Sequence, residues 1–507
     1  MRFIVVLILH CFLLGSSSGC NEIADSNPTA KMAPNEEEEQ PDPNFDKRAF
    51  ISCKVDDQLT EKDQDTLRKI KQVFTETPQP CPSVSNKSGN CSNKIVKFTP
   101  KEGHPWSLGQ RILILDYNMY LVGYTRYHQR VLDYLEVSPS GHYQTIEKSI
   151  GMNLGVYKIV GEIVGRDNPY MPARKLNSIS SSFVGAYYDP VGMRNDGHGG
   201  VVFGLLAEHN PKSEMVIAEL EYLSESHIFE HLCSGSEEGA EKIKNYYQNL
   251  AKSLIESIKK HEINFINMSA GTTFETMNRV FQGDPAPEQG CVQKMAKKNL
   301  PVVSQGALNA WLNRLQQIQL DYFMRPLTNI PGVVFVQAAT IAFRDLQAGD
   351  PDYLQDCTKL PNRLRIGSLG EFYPGIKKSG TNRWSLLDAI SKFAKNCTDL
   401  YINSPSKGFQ IIDEDWQAAP YVIQFTGSGK GLSEGPLTAL STSFAAPIAL
   451  SYLIYLKNRV LPANTSVPEL LSYANNHGNG KIKDPAFHAE FEKCHIHLDK
   501  PANRQDL

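Results

Sequence analysis

The sequence predicts an α/β domain, a three-layer sandwich with a mostly parallel central sheet flanked by helices. Three observations carry this. From about Lys101 onward, short β-rich apolar runs alternate with helical stretches, the pattern of a parallel sheet joined by crossover helices. The 507 residues are 41% hydrophobic and 21% charged, an ordinary globular composition with length enough for a large core. There is no internal repeat, and the one long low-complexity segment lies near the N-terminus.

Residues 1–19 read as an export signal. Arg2 supplies the positive charge, and FIVVLILHCFLLG is apolar but too short to span a membrane as a mature helix. Small residues, SSSG, then precede Cys20. That arrangement resembles a lipobox, after which Cys20 would be lipidated, with Ser17 where such a box has Leu. Ordinary cleavage near Gly19 and secretion is the alternative. The expected location is therefore outside the cytoplasm, lipid-anchored at the cell envelope or secreted. Residues 20–48 form a polar tether with four consecutive glutamates, Glu36 to Glu39. Residues 49–100 form a small Cys-bearing segment, either a propeptide or an extension stapled to the main domain. Its helix, TEKDQDTLRKIKQVF, places Leu67, Ile70 and Val73 at helical spacing.

The main domain is expected over 101–480, followed by a tail, 481–507. RILILDY reads as a buried strand, GGVVFGLLAEH as a helix and MVIAELEY as a strand. A long amphipathic helix, EGAEKIKNYYQNLAKSLIESIKKH, precedes the strand INFINMS. VQKMAKKN reads as a helix before a strand LPVVSQ, and GVVFVQAAT as a further strand. Ligands of such sheets bind at the carboxyl ends of the strands.

Three residues stand at chemically suggestive places. Asp116 directly follows the apolar run RILIL, and a carboxylate there needs a partner because burying a lone charge is costly. His198 sits between two glycines at the start of an apolar helix. Ser443 lies in STSFAAP, Ser441 to Pro447, a small-residue turn that opens another apolar helix. There it would have free backbone N–H groups beside it and the positive end of the helix dipole beneath it. Each has a plainer reading: a strand-end Asp caps a turn, a helix-start His donates a structural hydrogen bond, and a Ser before an apolar run is an N-cap. Taken together they give the chain order Asp, His, Ser. A rival motif, GLSEG at 431–435, has the nucleophile-elbow pattern but lacks the flanking strand and helix.

These motifs resemble the subtilisin-like serine proteases. GHGGVVFGLLA is similar to their His helix at Gly197, His198, Gly199, Val202, Gly204 and Ala207. STSFAAP is similar to their Ser helix at Thr442, Ser443, Ala445 and Pro447. MVIAELEY, INFINMSAG, LPVVSQGALN and PGVVFVQAAT resemble the intervening strands in order, and the likeness runs from about Gln110 to Asn475. It departs at Tyr117 and Asn118, where the family has Ser or Thr and then Gly. It departs again at Gly200, in place of Thr, and at Ser441, in place of Gly.

The resemblance implies a subtilisin-like fold and an exported serine endopeptidase. Ser443 would be the nucleophile, His198 the general base and then acid, and Asp116 the group that orients the imidazole. The Ser443 backbone N–H and a side-chain amide would form the oxyanion hole, with Asn309 as the candidate amide and Gln305 as the alternative. Ser269, Ala270 and Gly271 would form an edge strand that pairs with an extended protein or peptide substrate. The chemistry needs no cofactor. Family members often bind calcium, and the sequence has no D-x-D-x-D loop, so a structural calcium stays open. The departures also leave a second class of function: a catalytically degenerate scaffold acting as a membrane-anchored binding module.

A formal net charge of −3 offers no electrostatic attraction for nucleic acid. Membrane association is expected through the lipid anchor alone. Ten cysteines are present. With Cys11 in the signal and Cys20 at its end, Cys53, Cys81, Cys91, Cys233, Cys291, Cys357, Cys397 and Cys494 remain. In an exported chain they favour disulfides, Cys81 with Cys91 being a plausible local loop. No C-x-x-C pair suggests zinc. Sequons stand at Asn86, Asn90, Asn267, Asn396 and Asn464.

Overall fold

The apolar residues of RILILD form a strand because both of its faces find a core to enter. Ile112, Leu113, Ile114 and Leu115 each have no exposed surface, as a parallel strand covered on both sides requires. The structure, a computed structural model, describes residues 93–97, 110–117, 119, 130–147, 149–153, 197–210, 213–221, 226–271, 273–283, 288, 290–340, 345–350, 352–368, 397–402, 410–412, 415–417 and 442–477, with six helical positions between 61 and 72. The leader, Cys20, the tether, Leu67, Ile70, Val73, Asn118, Ser441, GLSEG, the tail, Cys53, Cys81, Cys91, Cys494 and the sequons at Asn86, Asn90 and Asn396 lie outside the described residues. The chain divides into two units, Met1–Lys47 and Arg48–Leu507, and all the described residues belong to the second.

In chain order the strands are β1 (Asn93–Lys97), β2 (Arg111–Asp116), β3 (Val131–Val137), β4 (Tyr143–Thr145), β5 (Ser149–Asn153), β6 (Glu214–Glu219), β7 (Phe265–Met268), β8 (Val334–Ala338), β9 (Arg363–Ser368), β10 (Leu400–Ile402), β11 (Gln410–Ile412) and β12 (Asp415–Gln417). Eight of them form one sheet in the order β10-β9-β8-β7-β2-β6-β3-β4. Every neighbouring pair is parallel except β3 with β4. β1 and β5 pair antiparallel, as do β11 and β12.

Two helices fill one face of the sheet: α1 (Gly197–His209) and, much later in sequence, α9 (Thr442–Tyr455). Most of their described residues are apolar and buried, as in helices enclosed by neighbouring structure. Phe203, Leu206, Phe444, Ile448 and Leu453 pack there on Ile112, Ile114, Ile217, Val336 and Ile366. Pro447 stands inside α9. Having no N–H, it leaves the carbonyl of Ser443 without its ordinary intrahelical donor. Buried Arg130 ties down the far end of α1, donating to the carbonyls of Ala207, Asn210 and Ser213.

The other face carries α2 (Phe229–Ser234), α3 (Glu237–Lys260), α4 (Phe274–Gln282), α5 (Cys291–Lys297), α6 (Leu308–Gln319) and α7 (Arg325–Thr328). α3 is amphipathic and starts at Ser236, whose hydroxyl accepts from the Gly239 N–H at 3.0 Å. Its Ile243, Leu250 and Leu254 join Leu113, Leu115, Val216 and Phe335 in the second core. α8 (Tyr353–Cys357) and α10 (Val467–Asn476) follow in chain order on either side of α9, and π-helical turns over Leu320–Met324 and Leu456–Val460 extend α6 and α9. Cys233 pairs with Cys291, and Cys357 with Cys397.

One expected strand is absent. LPVVSQ is not a strand: residues 301–304 are irregular. Pro301 lacks a donor, and the Val303 N–H instead bonds the Cys233 carbonyl at the end of α2. GVVFVQAAT, as β8, takes the place beside β7, pairing Phe265 with Val334 through Met268 with Gln337.

Candidate active site

Asp116 is the last residue of β2, at the carboxyl end of the sheet, and has no exposed surface. Its Oδ1 accepts the Tyr117 backbone N–H at 2.7 Å and lies 2.7 Å from His198 Nδ1. Burial pushes the carboxyl above its ordinary value; the charge and hydrogen bond of His198 pull it down, and the nearby Glu219 charge adds to the rise. With Asp116 ionised, the carboxylate can only accept, and Nδ1 then donates in this bond. In the neutral imidazole the lone pair is then on Nε2.

The sequence around His198 makes this contact sterically possible. The first turn of α1 docks on the chain just past β2, where the Gly199 N–H donates to the Tyr117 carbonyl at 2.9 Å. A Cβ at position 199 would lie 2.2 Å from Met119 Sδ and 2.6 Å from the Tyr117 carbonyl oxygen. Glycine is thus required for close approach of the two backbones. His198 keeps 21% of its side chain exposed, enough to reach a ligand.

Ser443 is in the first turn of α9 and is half-buried. The next residue, Phe444, places its ring 5.6 Å from the His198 imidazole, centroid to centroid. The structure therefore bonds Asp116 to His198 and places the ring of Phe444, the residue after Ser443, beside the same imidazole.

Ser269, Ala270 and Gly271 follow β7 directly. In register Leu115 faces Met268, so the segment begins beside Asp116. It is not an edge strand: β7 ends at Met268 and lies between β2 and β8 in the interior of the sheet. Ser269 and Ala270 are buried, Gly271 is exposed, and the Asn267 Nδ2 donates to Ser269 Oγ at 2.9 Å.

Asn309 goes elsewhere. It is exposed in the first turn of α6, in the helical layer across the sheet from α1 and α9. Gln305 is exposed in the preceding turn. At the carboxyl end of β8 stand Ala338, Ala339 and Thr340, none with a side-chain amide. The Thr340 N–H is engaged by Asp356 Oδ2 at 2.9 Å.

Glu219 is a site residue that the motifs do not single out, although it carries the same signal as Asp116, a carboxylate closing an apolar strand. It is the register partner of Asp116 in the β2–β6 ladder. Its Oε2 accepts the Tyr134 hydroxyl at 2.6 Å and its Oε1 the Met119 N–H at 3.3 Å. Phe444 is another, since nothing in the sequence places its ring on His198. Among the described residues no group of three or more His, Cys, Asp or Glu could hold a metal ion, and no helix is long and apolar enough to cross a membrane.

No protein-family model matches the chain, and a search of curated proteins finds no match.

Proposed function

We propose that the protein is an exported serine endopeptidase of the subtilisin-like type, working through Asp116, His198 and Ser443. The observation that carries this reading is the Asp116–His198 hydrogen bond, formed at the carboxyl end of β2 with Phe444, next to Ser443 on α9, beside the imidazole. The chain order and the His and Ser motifs support it independently.

In this reading Nε2 of His198 takes the Ser443 hydroxyl proton as Oγ attacks the scissile carbonyl. The tetrahedral oxyanion meets the Ser443 backbone N–H and the positive end of α9. His198 then returns the proton to the leaving amine, and water resolves the acyl-enzyme by the same route. Asp116 holds the Nδ1–H tautomer throughout and stabilises the imidazolium. The substrate backbone would lie along Ser269–Gly271. Export, and lipid anchoring at Cys20, would place the enzyme at the cell envelope.

A fluorophosphonate probe tests the reading. Covalent labelling of the full chain that disappears in Ser443→Ala supports it. A folded chain left unlabelled would favour the second reading, a binding module built on a silent protease scaffold. The position of Asn309 across the sheet is the observation that favours this alternative. A missing side-chain oxyanion donor costs about 3 kcal/mol, a magnitude taken from a subtilisin, and slows the chemistry by roughly a hundredfold without removing the triad.

A further inference from the structure

Tyr117 touches both members of the Asp116–His198 pair. Its backbone N–H donates to Asp116 Oδ1. Its carbonyl accepts from Gly199, the residue after His198. Its ring stacks on the imidazole, centroids 4.8 Å apart and planes inclined by 14°. Phe444 adds a second ring at 5.6 Å and 31°.

A hydrogen bond at Nδ1 alone leaves an imidazole free to rock, because the outer torsion of histidine is broad and has no sharp staggered minimum. A nearly parallel aromatic ring at stacking distance removes that freedom, since rotation would break the contact. The burial that pushes the Tyr117 hydroxyl up to about 12 also keeps it neutral, so no anion forms beside Asp116.

We propose that Tyr117 and Phe444 are positioning residues that fix the plane of the His198 imidazole and so aim Nε2. The bulk of Tyr117, where the resembled family has Ser or Thr, is then part of the site's construction. The inference rests on reading His198 as the base for Ser443, and its test separates the two.

The full chain is labelled with ¹³C at histidine Cε1, and the His198 signal is assigned by its loss in His198→Ala. The expected signal lies upfield of a solvent-exposed imidazole because of the two rings. Its ¹³C relaxation should report a rigid ring in the native chain and in Tyr117→Phe and a more mobile one in Tyr117→Leu and Phe444→Leu, where the loss of a ring current moves the shift in any case. Fluorophosphonate labelling should stay within about twofold in the Phe variant and fall about tenfold or more in the Leu variants, since a misaimed base is costly in rate. A native melting curve for each variant excludes simple unfolding, and Phe444→Leu carries the test if Tyr117→Leu does not fold. Leu variants with native ring relaxation and native labelling rate would overturn the proposal and leave the protease reading intact. Leu variants that mobilise the imidazole in a chain that is never labelled would leave the proposal standing and remove the protease reading.

Discussion

Glu219 faces Asp116 across the β2–β6 ladder, and its charge opposes ionisation of the buried carboxyl. Two carboxylates at neighbouring strand ends compete for ionisation, and the less solvated one yields. Replacing Glu219 by Gln removes the competing charge and keeps an acceptor for the Tyr134 hydroxyl. Asp116 should then ionise at lower pH. The acid limb of the labelling rate at Ser443 is therefore expected to move to lower pH. A limb that stays in place would show that the field of Glu219 does not reach the pair.

Gly199 has no room for a methyl group. A flexible Met119 side chain could move out of its way, but the Tyr117 carbonyl, 2.6 Å from the missing Cβ, belongs to the backbone that also receives the Gly199 N–H. Gly199→Ala should push the first turn of α1 off β2 and lengthen the Asp116–His198 contact. The expected result is a stability loss of about 1–3 kcal/mol by urea denaturation, as for overpacked interiors. Labelling should fall by about a hundredfold, as for a misplaced base. Tolerance of alanine with native labelling would mean that the helix does not approach β2 this closely.

How far the sequence discloses this arrangement depends on charge. RILILD is legible as a strand because its interior residues are all apolar, and GHGG and STSF are legible because each opens an apolar run and with Asp116 they stand in the order Asp, His, Ser. β3 escapes such a reading: VLDYLEV contains Asp133, which its fold neighbours Lys260, His261 and Thr145 satisfy at 3.1, 2.8 and 3.1 Å. β9 escapes it for the same reason. Its Arg363 and Arg365 are buried and charged, with Gln337 and Asp399 as partners drawn from distant parts of the chain. Such strands depend on partners that no local pattern displays. LPVVSQ misleads in the opposite sense: its apolar residues look like a strand, and Pro301 together with the bond from Val303 to α2 keeps it out of the sheet. Asn309, expected just beyond that strand, stands instead exposed in the first turn of α6.

Asp356 should make stability depend on pH. Burial pushes its carboxyl up to about 6 from an ordinary 3.8, with Arg365 and the Thr340 N–H pulling the other way and Asp352 adding to the rise. Between those values the folded chain keeps a proton that the unfolded chain has released. Stability is therefore expected to fall as pH rises from about 4 through about 6 and to level off above. A shift of roughly two units corresponds to about 3 kcal/mol at most. Asp356→Asn should remove this part of the slope. Urea midpoints of both proteins at about pH 4.5 and about pH 7.5 check it, and parallel pH dependence in the two would exclude Asp356 as the source.

Asn309 is exposed on α6, a helix of the layer across the sheet from α9. If Asn309 were the side-chain oxyanion donor, Asn309→Ala would slow acylation of Ser443 by roughly a hundredfold. Its exposed position on α6 leads to the opposite expectation, because a side chain in the layer across the sheet cannot meet an oxyanion formed beside α9. The alanine variant should therefore label at the native rate, with a stability change within about 0.5 kcal/mol, as for other exposed positions. The Ser443 backbone N–H and the α9 terminus then carry the oxyanion without a side-chain amide from this residue. A large rate loss in a folded Asn309→Ala chain would instead require α6 to begin on the Ser443 side of the sheet.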